Sequence, residues 1–262
     1  MSKSEFLTMT ADWFRDSEVI GDVNQDGILD VLDIIFVIDF IMGFCLQKKT
    51  MPTIVSVLDA SSVIKVDSVK DYLTITEIFN WEIYKTPRWD KYENIVDIGA
   101  NIGCASVFLC RHKNVKSLIA IEPNKDVIDT LKFNIKKNIN NISVEIMNVA
   151  IGISSGAHDF FISDSSRYSG FVKSDNFRYI DKVSVECIDF NTLLGHLSDM
   201  DPALTLIKID IEGVERDFFS FLENKDIYIG DIVVEGEDLP MKFGSYVCRT
   251  KKFNDVYYYT KK

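Results

Sequence analysis

The sequence is poor in paired cysteines and in positive charge, and each shortage argues against a class of protein. Its five cysteines are widely spaced and include no C-x-x-C pair, so the chain carries no sign of a disulfide framework. Basic residues are outnumbered, since 29 lysines and arginines face 40 aspartates and glutamates, which gives a net charge of −11. Phosphate binding relies on clustered lysine and arginine, so this balance argues against nucleic acid as the main partner.

The sequence also lacks a long, uninterrupted apolar run. Its most apolar segment, residues 31–46, contains Asp33 and Asp39 and is too short for a membrane span. The first twenty residues include several charged side chains and no continuous apolar core, so no secretory signal is visible. We therefore expect a soluble protein of the reduced, cytoplasmic type.

Length and composition predict one sizeable α/β domain with a short appendage. Apolar residues make up 47% of the 262 residues and charged residues 26%, which is typical of a globular protein with a real core. Three blocks can be separated along the chain. Residues 1–50 combine an acidic loop with an apolar helix, and residues 51–92, including 73–76, show the apolar–polar alternation of a β-rich lead-in. Residues 93–262 form the third block.

In the third block, predicted strands alternate with predicted helices. Strands are expected at residues 94–98, 117–121, 142–147, 204–210 and 231–235, and an antiparallel pair at 246–248 and 256–260. A polar stretch with three glycines, after the third of these strands, indicates a β-rich insertion. The pattern predicts a Rossmann-like, doubly wound and mostly parallel seven-stranded sheet, with ligands bound beyond the carboxyl ends of its strands.

A glycine loop joins the first of these strands to the following helix. Gly99 and Gly103 are expected to let the backbone turn sharply and approach a ligand closely, since a Cβ would intrude. Asp97, near the strand end, is suited to accept a hydrogen bond from a cationic amino group. Glu122 ends the second strand nineteen residues beyond Gly103, where an acidic side chain suits the two hydroxyls of an adenosine ribose.

Three interpretations of this loop compete. A structural turn without a ligand is the first, and a nicotinamide dinucleotide site is the second. The dinucleotide site requires G-x-G-x-x-G, whereas this sequence has Asn101 at the middle glycine position. S-adenosylmethionine carries an ammonium group and a ribose but no phosphate, so it suits the acid-rich loop better.

Four short motifs follow one another between residues 97 and 215. They are DIGANIG at 97–103, IEPN at 121–124, NVAIG at 148–152 and IKIDIEGVE at 207–215. Through these motifs the chain resembles the FkbM family of methyltransferases over about residues 70–240. The resemblance implies S-adenosylmethionine-dependent O-methylation, commonly of hydroxyls on sugars or natural products.

The site residues expected from these patterns fall into a cofactor set and a catalytic pair. The expected cofactor residues are Asp97, Gly99, Asn101, Gly103, Glu122, Asn148 and Val149, of which the last two follow the third strand and are expected to line the adenine pocket. Asp210 ends the apolar strand 204–210, so it is the leading candidate for the base or for orienting the acceptor. Lys208 is the weaker candidate, because alternation points it the same way but deeper. Glu212 and Glu215 suit either the same rim or a helix N-terminus.

Residues 22–33 match an EF-hand loop position by position. The expected calcium ligands are Asp22, Asn24, Asp26, the carbonyl of Ile28, and Asp33. This loop and the apolar helix after it resemble a single type I dockerin repeat, although dockerins normally carry two. A capped acidic turn without calcium is the alternative. The apolar helix is expected to pack on the main domain, on a second copy of the chain or on a protein partner.

The sequence therefore predicts a methyltransferase that uses S-adenosylmethionine on a small-molecule or glycan acceptor, with calcium as a structural ion. A calcium-dependent partner-docking protein with a non-catalytic methyltransferase-like domain is the alternative. A non-catalytic domain is disfavoured because the expected site residues are present, namely Asp97, Gly99, Glu122 and Asp210. Methylation of nitrogen or of a carboxylate remains open, and segment 163–170 suits a substrate lid as well as an ordinary surface loop.

Overall fold

A computed structural model describes residues 54–56, 62–66, 71–163, 169–173, 178–211, 213–236, 238–252 and 255–262. The chain divides into two compact units, Met1–Pro52 and Thr53–Lys262, and all described residues lie in the second. The expected calcium ligands and the apolar helix after them therefore lie outside the described residues, and calcium or partner binding there stays a prediction. None of the helices in the described ranges is both long enough and apolar enough to cross a membrane.

The described residues form the following elements in chain order. The strands are β1 (Ile54–Ser56), β2 (Val63–Lys65), β3 (Asn94–Ile98), β4 (Ser117–Ile121), β5 (Ser143–Met147), β6 (Ala150–Gly152), β7 (Gly156–Ser163), β8 (Tyr179–Asp189), β9 (Thr205–Ile209), β10 (Asp231–Glu235), β11 (Lys242–Phe243), β12 (Tyr246–Lys251) and β13 (Val256–Lys261). The α-helices are α1 (Asp71–Ile75), α2 (Cys104–Leu109), α3 (Ile128–Asn138), α4 (Phe190–His196) and α5 (Glu215–Lys225). A π-helical turn (Thr76–Asn80) continues α1, and short 3₁₀ turns lie at Trp89–Lys91 and Pro202–Leu204.

The main sheet confirms the predicted fold class. Its strand order is β11-β12-β13-β10-β9-β3-β4-β5. The strands from β10 to β5 run parallel, and β13, β12 and β11 add antiparallel pairs at the other side. The sheet has eight strands instead of seven because the two-residue strand β11 adds to one edge. The carboxyl ends of its five parallel strands share one edge, where such sheets bind ligands.

The inner parallel strands β3, β4, β9 and β10 are buried on both faces because helices cover both, whereas the edge strand β5 is largely exposed. Ile95 and Val96 of β3 point to opposite faces and pack into two different hydrophobic clusters. Leu206 and Ile207 of β9 divide between the same two clusters. This double burial explains why continuous apolar runs in the sequence predicted these strands.

The lead-in differs from its predicted structure. The strand pattern holds for β1 and β2, which pair antiparallel, but residues 73–76 are helical rather than extended. Ile75 and Ile78 are buried on one side of this helix, and the Phe79 ring meets the Phe108 ring edge-on at 5.6 Å. Four alternating residues cannot set a period, so packing against α2 decided the conformation.

The predicted β-rich insertion is a separate three-stranded sheet. Its strand order is β6-β8-β7, with β7 and β8 forming a long antiparallel pair. Phe160 and Val185 contribute to its own small core. Asp189 ends β8 and caps α4, since its carboxylate accepts a hydrogen bond from the Thr192 amide at 2.8 Å.

Asp231 begins β10 at the amino-terminal edge of the sheet, and its side chain is fully buried. Its carboxylate accepts hydrogen bonds from the hydroxyls of Tyr92 (2.8 Å), Tyr258 (3.0 Å) and Tyr228 (2.5 Å). The Lys91 ammonium lies 2.8 Å away. Burial alone would raise the pKa of Asp231, but the hydrogen bonds from Lys91 and the tyrosines outweigh it and hold the pKa below its ordinary value.

Candidate functional site

A cleft opens at the carboxyl ends of β3, β4, β9 and β10. Gly99, Glu122, Asp210 and Glu235, which end or directly follow these strands, line it. A second wall comes from the lead-in, through Thr74, Glu77, Ile78, Ile83 and Tyr84. A third wall comes from the region of the small sheet, through Val149, Ala150, Ile151, Phe160, Ser169, Gly170 and Phe171. The cleft therefore lies at the edge that the fold class predicts.

The glycine loop turns as expected, but its glycines are required by the protein itself. Gly99 has φ +79°, and a Cβ at this position would lie 1.8 Å from the carbonyl oxygen of Asp210. Gly103 has φ +88°, and a Cβ there would lie 2.8 Å from Leu131 Cδ1. A Cβ at either position would thus meet protein atoms, while Gly99 also lines the cleft, so the close approach of a ligand to this loop stays a prediction. Gly99 lets the end of β9 approach the loop.

Glu122 lies on the cleft wall and is held by two backbone amides. Its carboxylate accepts hydrogen bonds from the amides of Asn101 and Asn124, each at 2.8 Å. Burial raises the pKa of Glu122 to about 7, and the two amide hydrogen bonds only partly counter this. The group therefore changes charge near neutral pH.

Asn148 and Val149 differ in their positions relative to the cleft. Val149 lines the cleft, and its predicted contact with an adenine ring stays a prediction. The Asn148 side chain instead donates to the backbone carbonyls of Glu122 and Pro123, at 2.8 and 3.1 Å. Its position indicates support of the corner that holds Glu122, rather than the predicted place on the pocket wall.

Asp97 is fully buried beneath the loop and is not one of the lining residues. One carboxylate oxygen accepts a hydrogen bond from Ser106 Oγ at 2.6 Å, and the other lies 3.3 Å from the ammonium of Lys208. In the structure the amino group beside Asp97 is that of Lys208, and the oxygen that faces it makes no hydrogen bond within the described residues. The contact of Asp97 with the amino group of a ligand stays a prediction.

Lys208 joins the glycine loop to β9. Its side chain is only 2% exposed, and its ammonium donates to the carbonyl of Gly99 at 2.7 Å and lies 3.4 Å from the Asp210 carboxylate. Burial lowers the pKa of Lys208, but Asp97, Asp210 and Glu235 outweigh that effect and raise it overall. Lys208 therefore stays protonated and does not act as a base. Its contacts with Gly99 and Asp210 favour a positioning role over the predicted catalytic one.

Asp210 shares its end of the cleft with two residues that sequence analysis missed. The Tyr84 hydroxyl donates to Glu235 at 2.8 Å and lies 3.4 Å from Asp210, whose side chain is 30% exposed. Burial, and then the charges of Glu235 and Asp210, raise the pKa of Tyr84, so the phenol keeps its proton. Glu235 ends a predicted strand, and the rule that pointed to Glu122 would have found it. Tyr84 lies in the lead-in and carries no such signal.

Two polar atoms on the cleft wall make no hydrogen bond within the described part of the chain. They are Thr74 Oγ1 and Asn101 Oδ1, both buried. Buried polar atoms are normally paired, so each of these two is available to a water or to a polar ligand in the cleft. Asn101 has φ +48°, a left-handed conformation that asparagine tolerates better than most residues.

The remaining predicted residues divide between the cleft and its surroundings. Ser169 and Gly170, at the end of the proposed lid segment, line the cleft, whereas 164–168 lie outside the described residues. Glu212 also lies outside them. Glu215 begins α5 and accepts a hydrogen bond from the Gly213 amide at 3.1 Å, which favours the helix N-terminal interpretation. The described ranges hold no cluster of three or more histidine, cysteine, aspartate or glutamate residues that suits a metal ion.

This arrangement defines a Rossmann-like α/β domain whose ligand cleft lies at the carboxyl ends of its parallel strands. The chain belongs to the FkbM methyltransferase family, since the model of the methyltransferase FkbM domain matches residues 97–257, more than half of the chain. The protein is accordingly a methyltransferase, and the family resemblance of the four motifs is confirmed. No curated protein matches the sequence at a significant level.

Several solved structures resemble the chain at low identity. A conserved hypothetical protein of Streptococcus pyogenes shares 10% identity, covering 71% of this chain and 94% of its own, with a TM-score of 0.43. TYW2 of M. jannaschii, solved in complex with AdoMet, shares 14% identity over 82% and 85%, with a TM-score of 0.37. The SAH-bound Podospora anserina methyltransferase PaMTH1 shares 10% over 100% and 97%, with a TM-score of 0.37. The assignment rests on the family match.

Proposed function

We propose that this methyltransferase takes its methyl group from S-adenosylmethionine and transfers it to a hydroxyl of a sugar, glycan or natural product. The observation that carries the cofactor is Glu122, a cleft carboxylate held by two backbone amides at the carboxyl end of β4. A carboxylate in this position suits the two vicinal hydroxyls of a ribose. The proposed acceptor class is supported by the family resemblance of the motifs.

The cleft wall offers complementary groups for the rest of the cofactor. Val149, Ile151, Phe160 and Phe171 supply an apolar and aromatic surface that suits an adenine ring. Asn101 Oδ1 and Thr74 Oγ1 are buried acceptors that suit donors of a polar ligand. When bound, S-adenosylmethionine supplies a methyl group on a positively charged sulfur, which is a good leaving group.

The acceptor end of the cleft is proposed to be the end that holds Asp210. In the reaction, an acceptor oxygen forms a bond to the methyl carbon, the carbon–sulfur bond breaks, and its electron pair stays on sulfur. The hydroxyl proton must leave, and the partly exposed carboxylate of Asp210 is the proposed group to accept or orient it. Lys208 and Tyr84, both within 3.4 Å of Asp210, hold that carboxylate in place.

Replacing Glu122 tests the cofactor. We expect Glu122→Ala to weaken S-adenosylmethionine binding by about 100-fold. The variant would lose the two proposed hydrogen bonds from the ribose hydroxyls to the carboxylate, which together are worth about 3 kcal/mol. Titration calorimetry of the purified full chain gives the two dissociation constants. Glu186→Ala, an exposed glutamate of β8, is the matched control and should bind like the original protein. The cofactor proposal is wrong if the original protein does not bind S-adenosylmethionine.

The raised pKa of Glu122 predicts a pH dependence of ribose binding. With a pKa of about 7, the ionised fraction rises from about one tenth at pH 6 to about nine tenths at pH 8. Adenosine, which does not titrate in this range, should therefore bind about tenfold more tightly at pH 8. The same shift should make the ligand-free fold less stable as pH rises from about 4.5 to about 7, because ionisation costs more in the folded chain.

Glu122→Gln removes the titrating group while keeping its shape. In this variant, adenosine affinity should be the same at pH 6 and pH 8. An undiminished pH dependence in Glu122→Gln would assign the titration to another group and reject this explanation.

A further inference from the structure

Two carboxylates lie side by side at the Asp210 end of the cleft. Strands β9 and β10 run parallel in a register that pairs Ile209 with Val234, so Asp210 and Glu235 come next on adjacent strands. Both line the cleft, and the Tyr84 hydroxyl reaches both of them, at 3.4 and 2.8 Å. The register of β9 and β10, together with the Tyr84 hydroxyl, holds the two carboxylates close to each other.

Tyr84 comes from outside the matched family domain and is firmly anchored. It lies between Glu82 and Lys85, whose backbone carbonyls both accept hydrogen bonds from the Lys252 ammonium, at 2.8 and 2.7 Å. Tyr84 itself is only 3% exposed. The phenol is therefore a fixed neutral donor, and it brings the carboxylates together without neutralising either of them.

Carboxylates outnumber cations among the described lining residues. Glu77, Glu122, Asp210 and Glu235 line the cleft, and Lys208 is the one lysine or arginine among them. The Lys208 ammonium is shared with buried Asp97, 3.3 Å away, so it only partly offsets the cleft charge. The Asp210 end of the cleft thus suits a positively charged group and disfavours an anion.

The strand order determines which part of the proposed cofactor meets this charge. Along the edge, β4, β3, β9 and β10 follow one another, and adjacent strands are about 4.8 Å apart. Asp210 thus lies roughly 10 Å from the Glu122 position, two strands away. In S-adenosylmethionine one methylene joins the ribose to the sulfur. A ribose at Glu122 leaves the sulfur room to lie toward Asp210 and Glu235.

We propose, resting on the proposed function, that Asp210 and Glu235, held by Tyr84, select the cationic sulfonium of S-adenosylmethionine over its neutral thioether product. Methyl transfer removes the positive charge from sulfur, so the same carboxylates that attract the cofactor cease to hold the product. Asp210 and Glu235 are thus determinants of specificity, and Tyr84 is a positioning residue. Product inhibition is correspondingly weak.

Binding measurements test this selection without an acceptor. We expect the full-length protein to bind S-adenosylmethionine at least tenfold more tightly than S-adenosylhomocysteine, measured by titration calorimetry at pH 8. Sinefungin, which carries an amine near the position of the sulfonium, should bind like S-adenosylmethionine. Glu235→Gln and Asp210→Asn should each reduce the ratio to below threefold, mainly by weakening the cationic ligands. Glu186→Gln, on exposed β8, should leave the ratio unchanged.

The possible failures have different meanings. If S-adenosylhomocysteine binds the original protein as tightly as S-adenosylmethionine, the charge selection is overturned while the cofactor assignment stands. If both carboxylate variants keep the tenfold ratio, these two residues are not its source and the inference fails. Binding of neither ligand would overturn the proposed function and this inference with it. Thermal unfolding tests whether each variant is folded, and if one is not, the ratio of the other variant decides the case.

Discussion

Gly99→Ala is expected to destabilise the ligand-free protein by about 4 kcal/mol and to abolish cofactor binding. The new Cβ would lie 1.8 Å from the carbonyl oxygen of Asp210, which is backbone and cannot turn away as a side chain would. The clash forces the end of β9 away from the loop and adds to the strain of an alanine at φ +79°. Because Asp210 moves with β9, its relation to Glu122 changes too. Urea unfolding without ligand measures the loss.

A comparison with Gly156 distinguishes the effect of the steric clash from the effect of backbone strain. Gly156 also has a positive φ, +115°, but a Cβ there meets nothing within 4 Å. Gly156→Ala should therefore cost only about 1–2 kcal/mol, and it should leave cofactor affinity unchanged. If Gly99→Ala were as stable as the original protein and lost only ligand binding, the glycine would serve the ligand, and our account of the loop would be wrong.

Asp231→Ala is expected to cost about 3–5 kcal/mol of unfolding free energy, although it lies at the opposite edge of the sheet from the cleft. Removing the carboxylate leaves Lys91 and the hydroxyls of Tyr92, Tyr228 and Tyr258 without their common acceptor. Removing a buried, paired charge costs more unfolding free energy than removing an exposed charge. Urea unfolding at pH 7 measures the difference, and exposed Asp199→Ala should change stability by less than about 0.5 kcal/mol.

The Asp231 effect should also depend on pH. Because the pKa of Asp231 is lowered below 3.8 in the folded chain, the carboxylate stabilises the fold above about pH 4. That contribution is lost as pH falls through the folded-state pKa. The difference between the original protein and Asp231→Ala should therefore shrink in acid. A difference that stays constant from pH 7 to pH 3 would contradict the ionised state that we assign to Asp231.

Most of the central sheet could be predicted from the sequence, because its inner strands are buried on both faces. Residues 94–98, 117–121 and 231–235 were predicted with the bounds that the structure has. Each is a short apolar run next to a turn or a helix, so local pattern and length were sufficient. The helical residues 71–80 were missed, because their apolar spacing was too short to show a period and packing against α2 determined them.

The site was predicted in part, and the reasons differ from residue to residue. Glu122 and Asp210 were found because they follow apolar strands, and the carboxyl ends of parallel strands share one edge. Asp97 was singled out as a motif residue, but its neighbour Lys208 could not be predicted, since it comes from a strand that is distant in the chain. The positive φ of Gly99 agrees with the predicted turn, but the close approach of Asp210 to this glycine followed only from the tertiary structure.

Most strands, the glycine turn, the family and the end of the sheet where the cleft lies could be predicted from the sequence alone. All of these depend on local patterns, namely apolar runs, turn residues and motif spacing. Which side chains meet at that end of the sheet depends on how the whole domain folds. Lys208 contacts Gly99 across 109 residues of chain because β3 and β9 are neighbours in the sheet. Tyr84 reaches Asp210 and Glu235 because the segment before β3 forms one wall of the cleft at the carboxyl ends of the strands. Strand order and register arise from the packing of the whole domain, and no local pattern in the chain encodes them.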